Sequence, residues 1–218
     1  MKKTAVILSL ILAAALTGCS SGGKTQATPV PTEAVAQTEA PSANLEALTQ
    51  NKRHIEIELE DGRKIDAEIY PDLAPLTVEN FIKLINEHFY DGLIFHRVIP
   101  GFMIQGGGYD ASLKEKETAP IKGEFSSNGV ENPLSHTKGV LSMARTNDPN
   151  SASSQFFIMH EDTKSLDGEY AAFGKVTDEE SLKVVDEIAN AKTTTVASTQ
   201  MSDVPVSAIT IKTITLVD

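Results

Sequence analysis

The chain has 218 residues, with 30 acidic against 19 basic side chains and a formal net charge of −11. An acidic excess of this size excludes nucleic acid and anionic lipid as electrostatic partners, because both are polyanions. The single cysteine, Cys19, excludes an intramolecular disulfide, so the core alone must supply stability.

At the N-terminus Lys2 and Lys3 precede the apolar run Ala5–Leu16, which leads into Leu16-Thr-Gly-Cys19. The run is shorter than the ~20 residues a spanning helix needs, and basic residues before a short apolar stretch form a secretory signal rather than a fold element. Its end resembles a bacterial lipobox. That resemblance implies cleavage before Cys19, lipid on its thiol and new amino group, and a protein anchored to the cell membrane on the extracytoplasmic side. Ordinary signal cleavage beside Gly18 is the alternative. Residues 1–18 are assigned to the signal peptide, and residues 19–51 to the lipidated cysteine and a disordered tether. Small, polar and proline residues dominate there, with hardly an apolar side chain larger than valine before Leu45. Such a stretch buries too little apolar surface to offset its ordering entropy. As a coil of about 30 residues it would reach roughly 30 Å. Lys2, Lys3 and Lys24 balance Glu33, Glu39 and Glu46, so the domain assigned to 52–218 carries the whole excess charge.

Within that domain, His54–Glu60 alternates with period two, Asp61-Gly62 supplies a turn, and Lys64–Tyr70 resumes the alternation, which predicts an opening β-hairpin. Pro75 and a Thr77–Asn80 capping segment introduce a helix over 76–87, with Val78, Phe81, Ile82 and Ile85 on one face. Short strands follow near 94–99, 102–107, 139–144, 155–159 and 172–176. A second helix spans Asp178 to Ala189 with the stripe Leu182, Val185 and Ile188, and Val206–Val217 alternates again as a last strand. Periodicity leaves sandwich and barrel undecided.

One segment is chemically unusual. In Gly92–Gly108, Arg97 and Gln105 sit among Ile94, Phe95, Val98, Ile99, Phe102, Met103 and Ile104, and their donors cost several kcal/mol to bury without partners. A Pro100-Gly101 turn would let Arg97 and Gln105 converge on one side of a hairpin, beside Phe102 and Met103. The stretch resembles the cyclophilin family of peptidyl-prolyl cis/trans isomerases, whose pattern runs Phe-His-Arg-x-Ile-Pro-Gly-Phe-Met-x-Gln-Gly-Gly. A second block lies in family order with nearly family spacing: Gly139–Arg145, Ser154–Ile158, Leu166-Asp-Gly168 and Ala172–Val176. The resemblance covers about His54 to Val217. It implies a mainly β fold, a closed eight-stranded antiparallel barrel capped by two helices.

It also implies a site. Arg97 would donate to the prolyl nitrogen, which regains its lone pair only in the twisted transition state, and Gln105 would hold the substrate backbone. Phe102, Met103, Phe157 and Leu166 match the proline pocket. Ala144, Arg145 and Thr146 match a segment lying along the substrate, in which the middle residue acts through its backbone; Arg145 there, where many relatives have Asn, adds charge beside the groove. Tyr170 stands where the family often has His and keeps an aromatic wall. Ser165 replaces a frequent Trp, which implies weak binding of cyclosporin-type macrocycles. Outside this motif Arg97 would read as a strand arginine paired with an acidic neighbour.

The partners implied are proline-containing unfolded or exported polypeptides, and the membrane through the lipid on Cys19. A cyclophilin-like module that binds such chains without turnover is the competing reading; Arg97, Phe102, Met103 and Gln105, all present, favour catalysis. No cofactor is implied. The five histidines show no metal-ligand spacing, and His96 reads as a structural residue. Gly106-Gly-Gly108 lacks the Gly-Lys-Ser/Thr of a phosphate loop, and no Gly-x-Ser-x-Gly elbow occurs. A monomer is the default.

Overall fold

The computed structural model describes residues 42–217. The signal segment, Cys19 and the tether up to residue 41 lie outside the described residues.

The opening hairpin forms as its alternation dictates. Strands β1 (Arg53–Leu59) and β2 (Lys64–Ile69) pair antiparallel with Ile57 opposite Ile65. Ile55, Ile57, Leu59, Ile65, Ala67 and Ile69 point inward, and the intervening Glu, Asp and Lys residues face outward. Helix α2 (Pro75–Asn86) then buries Val78, Phe81, Leu84 and Ile85, while Ile82 from the expected stripe is only partly covered. Strands β3 (Leu93–Ile99), β4 (Met103–Asp110), β5 (Val140–Met143), β6 (Phe156–Met159) and β7 (Ala172–Val176) follow. Helix α3 (Glu179–Ala189) comes next; the Asp178 side chain caps it by accepting from the Ser181 N–H at 2.8 Å.

The eight-stranded sheet has the order β10-β1-β2-β7-β5-β6-β4-β3, where β10 is Ile211–Leu216. Its two end strands meet: Ile94 pairs with Thr210, and the N–H groups of Gly92 and Phe95 donate to the carbonyls of Ile211 and Ile209 at 2.9 and 3.0 Å. The result is a nearly closed barrel. Its interior holds Ile55, Ile57, Phe95, Ile104, Phe156, Ile158 and Phe173 in one core with the buried faces of α2 and α3. Phe81 anchors that core, with ring centroids 5.1 to 5.5 Å from Phe173, Tyr90 and Phe156. Each such side chain contributes roughly 1.5–3 kcal/mol through burial.

Three features differ from the sequence expectation. The cap of α2 is not in Thr77–Asn80. The Ala74 N-cap makes no side-chain bond, and the buried Glu124 carboxylate instead accepts from the N–H groups of Leu76 and Thr77 at 3.0 and 2.8 Å. The last alternating run is interrupted. Only Ile211–Leu216 is the barrel strand, while Met201–Pro205 forms β9, paired with β8 (Thr193–Val196) in a separate hairpin. Finally, a third helix, α1 (Ser42–Leu48), lies in the stretch assigned to the tether. Its Leu45 and Leu48 pack against a second apolar cluster containing Tyr70, Leu73, Met103, Leu134, Phe157 and Met159. Those two leucines are the first large apolar residues after a polar stretch, and they find a surface to cover.

Candidate active site

The second cluster builds the site. Across neighbouring strands Arg97 of β3 is directly opposite Gln105 of β4, Gln105 is opposite Phe157 of β6, and Phe157 is opposite Ser142 of β5. Period-two alternation puts Met103 on the same face as Gln105. A β-bulge sets this row. The β3–β4 register shifts between Phe95 and Arg97, with His96 the extra residue, so Phe95 still enters the barrel core while Arg97 faces the cavity.

Arg97, Phe102, Met103, Gln105, Ala144, Arg145, Phe157, Leu166 and Tyr170 line one cavity of about 270 Å³. Of the residues expected from sequence to act on or contact the substrate, Thr146 is not part of it. Thr146 lines an adjoining polar cavity of about 190 Å³ with Glu115, Ser151, Ser153 and Gln155, and Gln105, Ala144 and Arg145 are shared by both. Ser165 stands exposed in the 3-10 turn Lys164–Leu166.

Polar residues outside the motif hold the cavity walls. Gln105 Nε2 donates to Gln155 Oε1 at 2.9 Å, which fixes the amide orientation. The Gly106-Gly-Gly108 run makes that contact possible, since a Cβ on Gly108 would lie 2.5 Å from Cγ of Gln155. Gly107, at φ +83°, also lets the strand pass close to the Ser154 carbonyl. The Gly101 N–H donates to His160 Nδ1 at 2.9 Å, steadying the turn that presents Phe102. Beneath Phe157, the buried His136 ring bridges Asp167 Oδ1 and Ser142 Oγ, both at 3.0 Å, and stacks on Phe157 with centroids 6.0 Å apart. Burial lowers the His136 pKa against the opposing pull of Asp167. Asp203 of β9, itself at φ +59°, places Oδ2 3.8 Å from Nε of Arg97. Arg97 thus faces the cavity and also has an acidic neighbour, combining the two readings its sequence context allowed.

Arg145, expected from the sequence to add charge beside the groove, lines the cavity. Its side chain folds back between the rings of Phe125 and Tyr170, with Cζ 5.0 and 4.8 Å from their centroids.

His96 is 3 % exposed, packs edge-on to Tyr109, and has its pKa lowered by burial to about 4 from 6.5, with the Arg97 charge acting in the same direction. It is therefore neutral in the folded protein at pH 7. As pH falls the unfolded chain takes up this proton first, so stability present above pH ~6.5 is lost progressively down to pH ~4, by about 3 kcal/mol at most. Urea denaturation at pH 7 and pH 4.5 should show a smaller acid-induced loss in His96→Gln than in the wild type. Equal losses would remove His96 from the acid response.

A barrel that offers an apolar cavity flanked by a guanidinium and an amide is equipped to seat a chain segment and act on it through hydrogen bonds. Residues 54–216 match the family model described as cyclophilin type peptidyl-prolyl cis-trans isomerase/CLD. A peptidyl-prolyl cis-trans isomerase of Acinetobacter baylyi is 50% identical over 137 residues, 60% of this chain and 69% of that protein. Peptidyl-prolyl cis-trans isomerase A of Dickeya dadantii is 41% identical over 171 residues, 76% of this chain and 80% of that protein. Among solved structures, a cyclophilin-type isomerase of Cryptosporidium parvum superposes with a TM-score of 0.62 at 27% identity, over 77% of this chain and 98% of its own. The same protein was also solved in the presence of the dipeptide Ala-Pro, with a TM-score of 0.60 at 28% identity over 76% and 99% of the two chains. The chain belongs to the cyclophilin family. Its activity is the cis/trans isomerisation of peptidyl-prolyl bonds.

Proposed function

We propose that Arg97 and Gln105 carry out this isomerisation at the mouth of the cavity. The observation that carries the reading is their direct pairing across β3 and β4 beside the apolar floor of Met103 and Phe157. The X-Pro bond rotates slowly because amide conjugation gives it partial double-bond character and a barrier of ~18–20 kcal/mol. In the twisted transition state the prolyl nitrogen pyramidalises and becomes an acceptor. A guanidinium held there donates to it in the transition state and not in the planar ground state, which is differential binding without nucleophile or proton transfer. Gln105, oriented by Gln155, holds the substrate backbone while Phe102, Met103, Phe157 and Leu166 take up the pyrrolidine ring, with Tyr170 as a side wall. Ala144, Arg145 and Thr146 run along the substrate chain. A coupled-protease assay on a short X-Pro peptide tests this. Acceleration supports turnover, whereas peptide binding without acceleration would make the cavity a recognition module.

The biological role we infer is folding of exported polypeptides, whose proline isomers limit the rate, by a monomer held at the extracytoplasmic face of the cell membrane through lipid on Cys19. Supporting this are the signal segment, the lipobox-like Leu16-Thr-Gly-Cys19 and an acidic domain with no electrostatic attraction to anionic lipid. Because α1 begins at Ser42 within the domain, the tether inferred from sequence would run from residue 20 to 41. Cys19→Ala should move the protein from the membrane to the soluble fraction with its peptide activity unchanged. Continued membrane retention would contradict lipid anchoring.

A further inference from the structure

Two separate segments form facing lips of the cavity. One, following β5, carries Ala144 to Thr146; the other, preceding β7, carries Leu166 to Tyr170. The second lip is pinned near its middle, where Asp167 accepts from Ser135 Oγ at 2.6 Å and from the His136 N–H at 2.7 Å. Its far end is reached by one side chain from the opposite lip. Arg145 Nε donates to the Glu169 carbonyl at 2.9 Å, Nη2 lies 3.4 Å from Glu169 Oε2, and the guanidinium plane rests on the Tyr170 ring. Nη1 donates to the Thr146 carbonyl at 2.9 Å, so the same group also fixes its own lip. Phe125 backs the guanidinium from the other side, and the Arg145 side chain is 13% exposed.

We propose that Arg145 is a positioning residue that clasps the two lips together and so sets the width of the cavity for the prolyl ring, a role that rests on the reading of this cavity as the proline pocket. The chemistry supports a clasp rather than a charge offered to substrate. Two aromatic faces and two carbonyls occupy the planar fork, a combination an ammonium cannot reproduce. A wall that grips the ring equally in ground and transition states affects binding more than turnover.

The test is steady-state kinetics of Arg145→Ala and Arg145→Lys on an X-Pro tetrapeptide, with Tyr170→Leu alone and combined with Arg145→Ala. KM should rise about tenfold in both arginine variants with kcat within about twofold of wild type. The double variant should be little worse than Tyr170→Leu, because the two residues act as one unit. Three results would each overturn the clasp: a wild-type KM in Arg145→Lys, which would make charge the operative property; a fall in kcat at constant KM in protein whose urea denaturation shows it fully folded, which would place Arg145 in transition-state stabilisation; or additive effects in the double variant. Failure of the pocket reading itself is separately visible, because wild-type protein would then show no saturable turnover of the peptide.

Discussion

Arg97→Ala is expected to lower kcat/KM on an X-Pro peptide by about two to three orders of magnitude and to leave the folded protein nearly as stable as before. Removing one preorganised donor from a site of this kind costs about 2.7–4 kcal/mol of transition-state stabilisation. The stability side follows from the surroundings of the residue. Its side chain is 42% exposed and its acidic neighbour Asp203 stands 3.8 Å away, a geometry worth at most about 1 kcal/mol. Arg97→Lys should recover little, since the ammonium keeps the charge but not the fork that reaches nitrogen and carbonyl together. The coupled-protease assay with parallel urea denaturation decides it. Undiminished activity in a folded Arg97→Ala protein would remove Arg97 from the mechanism and shift attention to Gln105 and the cavity walls.

The second large effect concerns the fold. Glu124→Ala should lower unfolding stability by about 3 kcal/mol, read from the urea midpoint, because it leaves the N–H groups of Leu76 and Thr77 without their acceptor at a helix start that has no side-chain cap of its own. Glu124→Gln should recover only part of this, since one carboxylate oxygen becomes an NH₂ group facing a donor. A loss below 1 kcal/mol in Glu124→Ala would show that water satisfies those groups.

Glu124 also illustrates what the sequence could not disclose. The hairpin of β1 and β2 and the helices α2 and α3 were legible because each rests on local periodicity with a local boundary signal, the Asp61-Gly62 turn, Pro75 at the start of α2 and the Asp178 cap of α3. Glu124 acts on residues 47 and 48 positions earlier in the chain, and no local pattern records such a partnership. The β8–β9 hairpin escaped because Thr193–Thr195 are all exposed, so burial imposes no alternation on them. Helix α1 escaped because a short segment in polar surroundings has no signal except Leu45 and Leu48, whose packing partners lie elsewhere.

The site divides in the same way. Arg97, Phe102, Met103 and Gln105 sit within one turn and its two strands, and their convergence follows from strand pairing alone. Gln155 was within reach as well: it is a polar side chain directly before the Phe156-Phe157 pair, and it pins Gln105. Asp203 and the His136–Asp167 contact had no sequence signal, because each joins elements that only the closed barrel brings together. The direction of the Arg145 side chain depends on Phe125 and Tyr170 and was equally hidden.

Barrel closure has a consequence for the company this enzyme keeps. Its proposed substrates are unfolded chains, rich in unpaired backbone groups that seek a strand to extend. An open sheet meeting them repeatedly would risk templating cross-strand growth rather than releasing product. Here β3 is met by the 209–211 segment along one part, and β9 packs beside it. Among the described residues the hairpin strand β8 keeps an outer side, and it is four residues long and follows Lys192, a length and a charge that discourage pairing. The architecture thus leaves little strand edge to which the unfolded chains proposed as its substrates could add.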